Sequence, residues 1–318
     1  MLNLSDGVKK WMVLLPTAPL PTSWRVASRR KLLADLELAK AERTDLLIIG
    51  HPKSGNTWLR TMISRIYQVR FGLPADVIIT SDELARRHPN VPRVSATNGT
   101  YSYEGAVGEK LAVGAPDNLL RHKAIVMLAR NPCDIAVSWF FQFTKRQSRH
   151  KQELINHAIA HPIDRRSVSM WDFVRHSDIG LPFLIDYLNT WERNVQTLEN
   201  AELMRYEALR TKPEETLMRI VSRIDPSVTA EEIQEAVRFG SFDHLRKLES
   251  EGFFKQGGLT RRNASDPNSF KVRRAKIGGY RDYFTPEQIA ELEGLMAERL
   301  SPTLGYTPVE EPRSQSAG

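Results

Sequence analysis

A glycine-bearing turn with a lysine inside it, residues 50–58 (GHPKSGNTW), is the segment best suited to chemistry. It lies between an apolar run and an amphipathic segment, where a strand is expected to pass into a helix. Free backbone N–H groups and the positive end of a helix dipole form an anion site there, and phosphate is its usual ligand. Gly50 and Gly55 have the spacing of a nucleotide triphosphatase loop, but Asn56-Thr57 replaces the expected Lys-Ser/Thr pair, and the lysine lies within the loop at Lys53. The turn therefore predicts a phosphate site; the alternative is a glycine turn with an incidental lysine.

A second candidate group consists of Arg130 and Ser138, eight residues apart. Arg130 directly follows an apolar run, at the position where a triphosphatase would carry the acid that holds Mg²⁺. A guanidinium and a hydroxyl can hold a second phosphoryl group, whereas an ion pair with Asp134 is the alternative role of Arg130. The cation in place of the acid predicts a site that binds phosphate without a metal ion.

A third basic segment, residues 272–281 (VRRAKIGGYR), carries four cations beside two glycines. A solvated basic loop is its alternative interpretation. The whole chain of 318 residues has 45 Lys and Arg against 38 Asp and Glu, a net charge of +7, which indicates an anionic ligand or surface. We expect no nucleic-acid partner.

Strands that alternate with helices position these groups. Apolar runs predict strands at residues 45–50, 91–97, 124–129 and 202–206, and periodic segments predict helices from residue 58 and at 182–198, 213–224, 230–239 and 285–300. Asn131 and Pro132 are typical of a helix start. This alternation predicts the α/β class, with a central parallel sheet flanked by helices.

The expected organisation is an N-terminal arm (residues 1–44), one catalytic domain (45–306) and a disordered tail (307–318). The apolar stretch Trp11–Leu20 is too short and too rich in proline to span a membrane, and packing of the arm on the domain is favoured over a peripheral membrane contact. The single cysteine, Cys133, excludes an intrachain disulfide and favours a cytoplasmic location.

The basic segments together resemble those of sulfotransferases that use 3′-phosphoadenosine 5′-phosphosulfate (PAPS). Residues 52–58 (PKSGNTW) are similar to that family's 5′-phosphosulfate loop, PKSGTTW, and residues 130–138 (RNPCDIAVS) to its 3′-phosphate segment, RNPRDVAVS. Residues 273–284 (RRAKIGGYRDYF) are similar to its terminal RKGxxGDWKxxF pattern, with Ala275, Gly279 and Tyr280 as departures. Tyr206-Glu207 and residues 240–242 (GSF) match two further segments, and all five come in the family's order.

The resemblance implies a P-loop-like three-layer fold and transfer of a sulfuryl group from PAPS, without a metal, to a hydroxyl of a glycan, lipid-linked or small-molecule acceptor. Lys53 would neutralise the departing phosphate oxygen. The residues that the resemblance assigns to the nucleotide are Lys53, Ser54, Gly55, Asn56 and Thr57 at its 5′ end, Arg130, Ser138, Arg273, Arg274 and the amide of Ala275 at its 3′-phosphate, and Trp58, Tyr206, Ser241 and Phe242 near adenine. Each aromatic residue is alternatively part of the core.

The family's catalytic histidine is replaced by Asn98 in this alignment. An amide cannot take a proton at pH 7, so a general base that contributes about 10²–10⁴ in rate is missing from that position. Three alternatives stay open: Glu104 or a residue of the segment 81–83 (SDE) is the base, the acceptor hydroxyl is acidic like a phenol, or the chain binds nucleotide without turnover. His122 and His51 are poorer candidates. A P-loop phosphotransferase that uses ATP is the runner-up enzyme.

Residues 141–175 and 250–272 are expected to form the walls and lid of the acceptor site. They combine apolar and cationic side chains, and that mixture does not choose among acceptor classes. Cations in these segments include Lys145, Arg146, Arg149, Lys151, Arg261 and Arg262.

Overall fold

The structure of this chain, a computed structural model, describes residues 6–79, 83–98, 123–254, 258–260, 270–274 and 276–306. Four parallel strands in these ranges form one sheet in the spatial order β2-β1-β3-β4. The strands are β1 (Leu46–Ile49), β2 (Val94–Thr97), β3 (Ala124–Ala129) and β4 (Ala201–Arg205). The chain passes from β1 to β2 on one side and then crosses to β3 on the other, so the order reverses between β1 and β3. Ligands of open α/β sheets bind outside the carboxyl ends of the strands at such a reversal.

Helices cover both faces of the sheet. In chain order they are α1 (Asp6–Thr17), α2 (Thr22–Glu42), α3 (Asn56–Phe71), α4 (Pro132–Phe141), α5 (Arg149–Asn156), α6 (Met170–Arg175), α7 (Leu181–Gln196), α8 (Tyr206–Thr211), α9 (Pro213–Val221), α10 (Ala230–Phe239), α11 (Phe242–Glu251) and α12 (Pro286–Arg299). A π-helical turn, Gln142–Arg146, continues α4, and 3₁₀ turns lie at Gly279–Tyr283 and Pro302–Leu304.

The core divides into two layers because side chains alternate along each strand. Leu47 and Ile49 of β1 pack with α2, α4, α7 and α12, whereas Leu46 and Ile48 pack with α3, α9 and α10. All four of these side chains are buried, as expected for a parallel sheet that is covered on both faces. The expected three-layer α/β fold is confirmed.

Local signals in the sequence set most element boundaries. Asn131 accepts the N–H groups of Cys133 and Asp134 and caps α4, which begins at Pro132 as predicted. The predicted capping box of Thr229 before α10 is also present. Strand β2 begins at Val94 rather than at residue 91, since the intervening Pro92 has no N–H group for a sheet ladder.

Most of the predicted N-terminal arm is helical. One carboxylate of α5, Glu153, accepts hydrogen bonds from Arg25 and Arg29 of α2, and the buried Arg29 also donates to Thr17 at 2.9 Å and so fixes α1. Thr97 at the end of β2 donates to Glu37 of α2 at 2.7 Å. Among the described residues, no helix combines the length and apolar character that a membrane span needs.

Candidate active site

The turn after β1 is held in a strained conformation. Lys53 has φ 84°, the one non-glycine residue with positive φ among those described. An L-residue in this region costs about 1–2 kcal/mol, so the surrounding loop must hold it there. Gly55 follows with φ 108°, and a methyl group at this position would meet the Tyr206 ring at 2.8 Å. The Asn56 side chain donates to the Gly50 carbonyl at 3.1 Å and closes the loop.

The buried side chain of His51 packs against this loop and helps to fix its conformation. It is fully buried, its Nδ1 donates to the Pro52 carbonyl at 2.8 Å, and the rings of Trp139 and Tyr187 each lie 5.7 Å from its ring. Burial lowers the pKa of His51 to about 3. The imidazole is therefore neutral and a very weak base at pH 7, and its role is structural.

Arg130 joins the turn after β1 to the segment after β3. Its Nη1 donates to the Lys53 carbonyl at 3.0 Å, and its guanidinium lies 4.4 Å from the centre of the Tyr206 ring. The predicted alternative, an ion pair with Asp134, has a nitrogen-to-oxygen distance of 4.0 Å. The guanidinium thus lies over the site beside an aromatic face, and Asp134 is a distant partner.

Asp134 holds the C-terminal basic segment in place. Its buried carboxylate accepts the backbone N–H groups of Gly278 at 2.8 Å and Tyr280 at 3.0 Å. The segment reaches the site through Arg273, which lies 4.1 Å from the Phe141 ring centre. Three basic segments that are distant in sequence are therefore fixed around one opening.

An aromatic group forms the opposite wall. Trp58 donates its Nε1–H to the Gly240 carbonyl at 2.7 Å, and its ring meets that of Tyr206 edge to face at 5.6 Å. The Arg210 guanidinium lies 5.6 Å from the Trp58 ring centre. This wall has flat apolar ring faces, on which a nucleobase can stack, and polar ring edges that can hydrogen-bond to it.

The cavity between these walls has a volume of about 410 Å³. Ser54 is buried beneath the loop and does not line the cavity, and neither does the exposed Ser241. Ala275 lies outside the described residues. The other residues predicted for the site line it together: Lys53, Gly55, Asn56, Thr57, Trp58, Asn98, Arg130, Ser138, Tyr206, Phe242, Arg273 and Arg274.

Electrostatic repulsion is concentrated at Lys53. Burial lowers the pKa of its ammonium well below the usual value, and the nearby cations Lys271, Arg146, Arg130 and Arg273 lower it further. Asp134 is the one acidic side chain among the described residues that line the cavity, and it is occupied by backbone donors. An anion that enters would relieve this repulsion.

The candidates for a general base are distributed as follows. Asn98 follows β2 and lines the cavity, whereas Glu83 does not. Ser81, Asp82, Glu104 and His122 lie outside the described residues. No group of three or more potential metal-ligating His, Cys, Asp or Glu side chains occurs in the part of the chain that the structure describes.

Several lining residues were not singled out individually, although Gln142 and Lys271 fall within the segments predicted to form the walls and lid of the acceptor site. Arg60 lies on α3, and its place among the apolar positions of that helix indicated only a polar face. Lys271 carried no motif that set it apart from the basic segment beside it. Gln142 enters the cavity where α4 widens into the π turn, which the sequence did not indicate.

Comparison with known proteins identifies relatives that match most of the length of this chain. A family model described as the sulfotransferase domain matches residues 43–303. Cytosolic sulfotransferase 13 of Arabidopsis thaliana is 26% identical over 275 residues, which cover 82% of this chain and 78% of that protein. Cytosolic sulfotransferase 16 of the same plant is 25% identical over 327 residues, with 93% and 91% covered. The crystal structure of mouse sulfotransferase SULT7A1 complexed with PAP has the same fold, with a TM-score of 0.52, 20% identity and 84% and 89% of the two chains covered.

Proposed function

This chain belongs to the sulfotransferase family, and on that premise we propose that it transfers a sulfuryl group from PAPS to an acceptor hydroxyl and releases adenosine 3′,5′-bisphosphate (PAP). The observation that carries the proposal is the convergence of Lys53, Arg130 and Arg273 on one cavity at the reversal of the sheet order. The TM-scores and identities of solved structures support the fold, and the residues argued next support the chemistry.

The charges of the cavity suit a nucleotide with two phosphate groups. Each such group carries about −1.5 to −2 at neutral pH. Lys53 and the N–H groups at the start of α3 would bind the 5′ end, and Arg130, Ser138, Arg273 and Arg274 would bind the 3′-phosphate. Trp58 and Phe242 would hold adenine at the aromatic wall.

Lys53 is the residue proposed to act in the transfer itself. A bond forms between the acceptor oxygen and sulfur as the bond between sulfur and the phosphate oxygen breaks, and the acceptor hydroxyl loses its proton. The Lys53 ammonium neutralises the negative charge that develops on the departing phosphate oxygen. Loss of one such preorganised donor typically lowers the rate by about 10²–10³.

The described residues that line the cavity include no histidine and one carboxylate, that of Asp134, to take the proton of the acceptor hydroxyl. Asn98 cannot take it, and Asp134 already accepts two backbone N–H groups. We therefore favour an acceptor with an acidic hydroxyl, such as a phenol, and Glu104 is the alternative base. Asn98 also favours a second candidate function, nucleotide binding without turnover.

We further infer a reducing, cytoplasmic setting. Cys133 is a free, fully buried thiol, and burial raises its pKa well above the usual value. Such a thiol is inert and carries no sign of oxidative pairing. The names of the Arabidopsis relatives describe cytosolic proteins, which agrees with this inference.

Calorimetric titration of the full chain with PAP, and separately with ATP and Mg²⁺, tests the donor assignment. We expect tight PAP binding that EDTA leaves unchanged, and much weaker binding of ATP. Preference for ATP with Mg²⁺, or PAP binding abolished by EDTA, would contradict the proposal. Transfer of label from ³⁵S-PAPS to phenolic acceptors then distinguishes an enzyme from a protein that only binds the nucleotide.

A further inference from the structure

Large apolar side chains that are exposed to solvent are concentrated in the first two helices. Among the described residues, eight such side chains are exposed, and all but Val69 and Ile277 lie between residues 8 and 32. Single exposed apolar residues are ordinary on a protein surface, whereas several close together mark a site of interaction. The six in the N-terminal helices are Val8, Trp11, Met12, Leu15, Trp24 and Leu32.

One face of α1 packs on the rest of the protein. Val13, Leu14 and Thr17 are buried. Arg29 of α2 donates to the Leu14 carbonyl at 3.2 Å and to the Thr17 hydroxyl at 2.9 Å, which fixes the orientation of α1 about its own axis. The positions opposite to these contacts must therefore point away from α2.

The opposite face of α1 is apolar and exposed. Val8, Trp11, Met12 and Leu15 have the spacing i, i+3, i+4 and i+7, which places them side by side on one face of the helix. Trp11 and Met12 are each 60% exposed, and Leu15 is 63% exposed. Trp24, in the first turn of α2, is 70% exposed. Tryptophan is the residue that anchors proteins between lipid and water, because its ring has an apolar body and a polar N–H group.

The segment that carries these side chains is strongly basic. Residues 7–34 contain six cations and no acidic residue. Arg25 and Arg29 are paired with Glu153 of α5, and six cations against this carboxylate leave the segment positive. Lys9 lies at the edge of the apolar face of α1, and the exposed Lys31 follows Trp24 by two helical turns on the same face of α2.

We propose that these two faces together, called the N-terminal surface, bind the anionic headgroups of a lipid membrane. α1 would lie in the plane of the membrane surface, with its apolar side chains between the lipids and the lysines at the phosphates, as amphipathic helices with aromatic and basic residues do. A second copy of this chain is a poorer partner, because a symmetric contact would bring the same basic helices together. The residues of the N-terminal surface are Val8, Lys9, Trp11, Met12, Leu15, Trp24 and Lys31.

Co-sedimentation of the full chain with lipid vesicles tests the proposal. Vesicles of phosphatidylcholine alone are compared with vesicles that contain equal amounts of phosphatidylcholine and phosphatidylglycerol, and we expect binding to the anionic vesicles that is at least about ten-fold tighter. Trp11→Gln and Leu15→Gln should each weaken this binding about ten-fold, because each removes an apolar side chain that enters the lipid. Lys9→Gln and Lys31→Gln should each weaken it about five-fold, the effect of one lysine near an anionic membrane. Thermal melts confirm that each variant is folded.

Val69→Gln and Lys247→Gln are the matched controls, since both residues are exposed and lie outside the N-terminal surface, on α3 and α11. Both should bind anionic vesicles as the wild type does. No binding to anionic vesicles, equal binding to the two vesicle types, or equal losses in the controls would overturn the proposal. A dimer in analytical ultracentrifugation that Leu15→Gln dissociates, without vesicle binding, would assign the surface to a second copy instead.

The proposal goes beyond the proposed function and can fail separately from it. None of the residues of the N-terminal surface lines the cavity, so all the surface variants should bind PAP with unchanged affinity. Vesicle binding by a chain that fails to bind PAP would overturn the proposed function alone, and PAP binding without vesicle binding would overturn the membrane contact alone.

Discussion

The charge and the backbone of Lys53 can be separated by three substitutions. Lys53→Ala removes the ammonium but keeps the strain of a side chain at φ 84°, Lys53→Gly removes both, and Lys53→Arg keeps the charge. If the ammonium stabilises the departing oxygen, kcat falls by about 10²–10³ in the Ala and Gly variants alike, and the Arg variant retains part of the activity. PAP affinity is expected to fall much less, because Arg130, Arg273 and the loop N–H groups remain.

The backbone conformation at residue 53 also predicts how these substitutions change the free energy of unfolding. Relief of the left-handed strain is worth about 1–2 kcal/mol, and the greater freedom of glycine in the unfolded chain offsets about 0.5–1 kcal/mol of it. Lys53→Gly is therefore expected to exceed Lys53→Ala in stability by roughly 0.5–1 kcal/mol, a rise in Tm of about 1–3 °C.

Single-turnover kinetics with ³⁵S-PAPS, PAP calorimetry and thermal melts measure these three quantities. A kcat within a few-fold of wild type in Lys53→Ala would refute the role of the ammonium. A large difference in kcat between the Ala and Gly variants would show that the strained backbone, rather than the charge, controls transfer.

Three further predictions concern the same site. Gly55→Ala is expected to weaken PAP binding at least ten-fold, because the added methyl group meets the Tyr206 ring. Gly72→Ala is the control for backbone strain: Gly72 has φ 60° and open space around it, so this change should lower the free energy of unfolding by about 1–2 kcal/mol in urea titrations and leave PAP affinity unchanged. Asn98→His supplies a base at the cavity wall and should raise turnover of aliphatic alcohols about 10²-fold or more, with little effect on phenols; equal gains for both would argue against a missing base. PAP binding should take up protons, because the bound anion raises the lowered pKa of Lys53, and PAP affinity should therefore fall as the pH rises through the pKa of Lys53 in the free protein. Calorimetry in buffers of different ionisation enthalpy measures this uptake, and it would find none if Lys53 stayed charged throughout.

The parts of the fold that the sequence predicted well are those with local signals. Strand β3 ends where predicted because an unbroken apolar run meets Arg130, followed by a capping asparagine and a proline at the helix start. Several of the residues proposed to bind the nucleotide were identifiable for a related reason: the segments that carry Lys53, Arg130 and Tyr206 each follow a strand, and the carboxyl ends of parallel strands meet at one edge.

The parts that could not be predicted depend on contacts between distant segments. α2 is fixed by Arg29 to Glu153 of α5, 124 residues away, and no local pattern records that pairing. The left-handed backbone of Lys53 depends in the same way on its surroundings, because an isolated L-residue avoids that conformation. The cavity lining brings Arg60 of α3 together with Lys271, 211 positions later in the chain, and no local pattern records that both line it.

The repulsion among the cations that line the cavity has a consequence for the order of binding. Burial lowers the pKa of the Lys53 ammonium, and nearby cations, Lys271 and Arg146 foremost, lower it further. Asp134 is the one carboxylate in the described lining, so the charge there is positive overall. The two phosphate groups of the donor nucleotide supply the negative charge that this lining lacks. We therefore expect the donor to bind before the acceptor, and the acceptor alone to bind weakly.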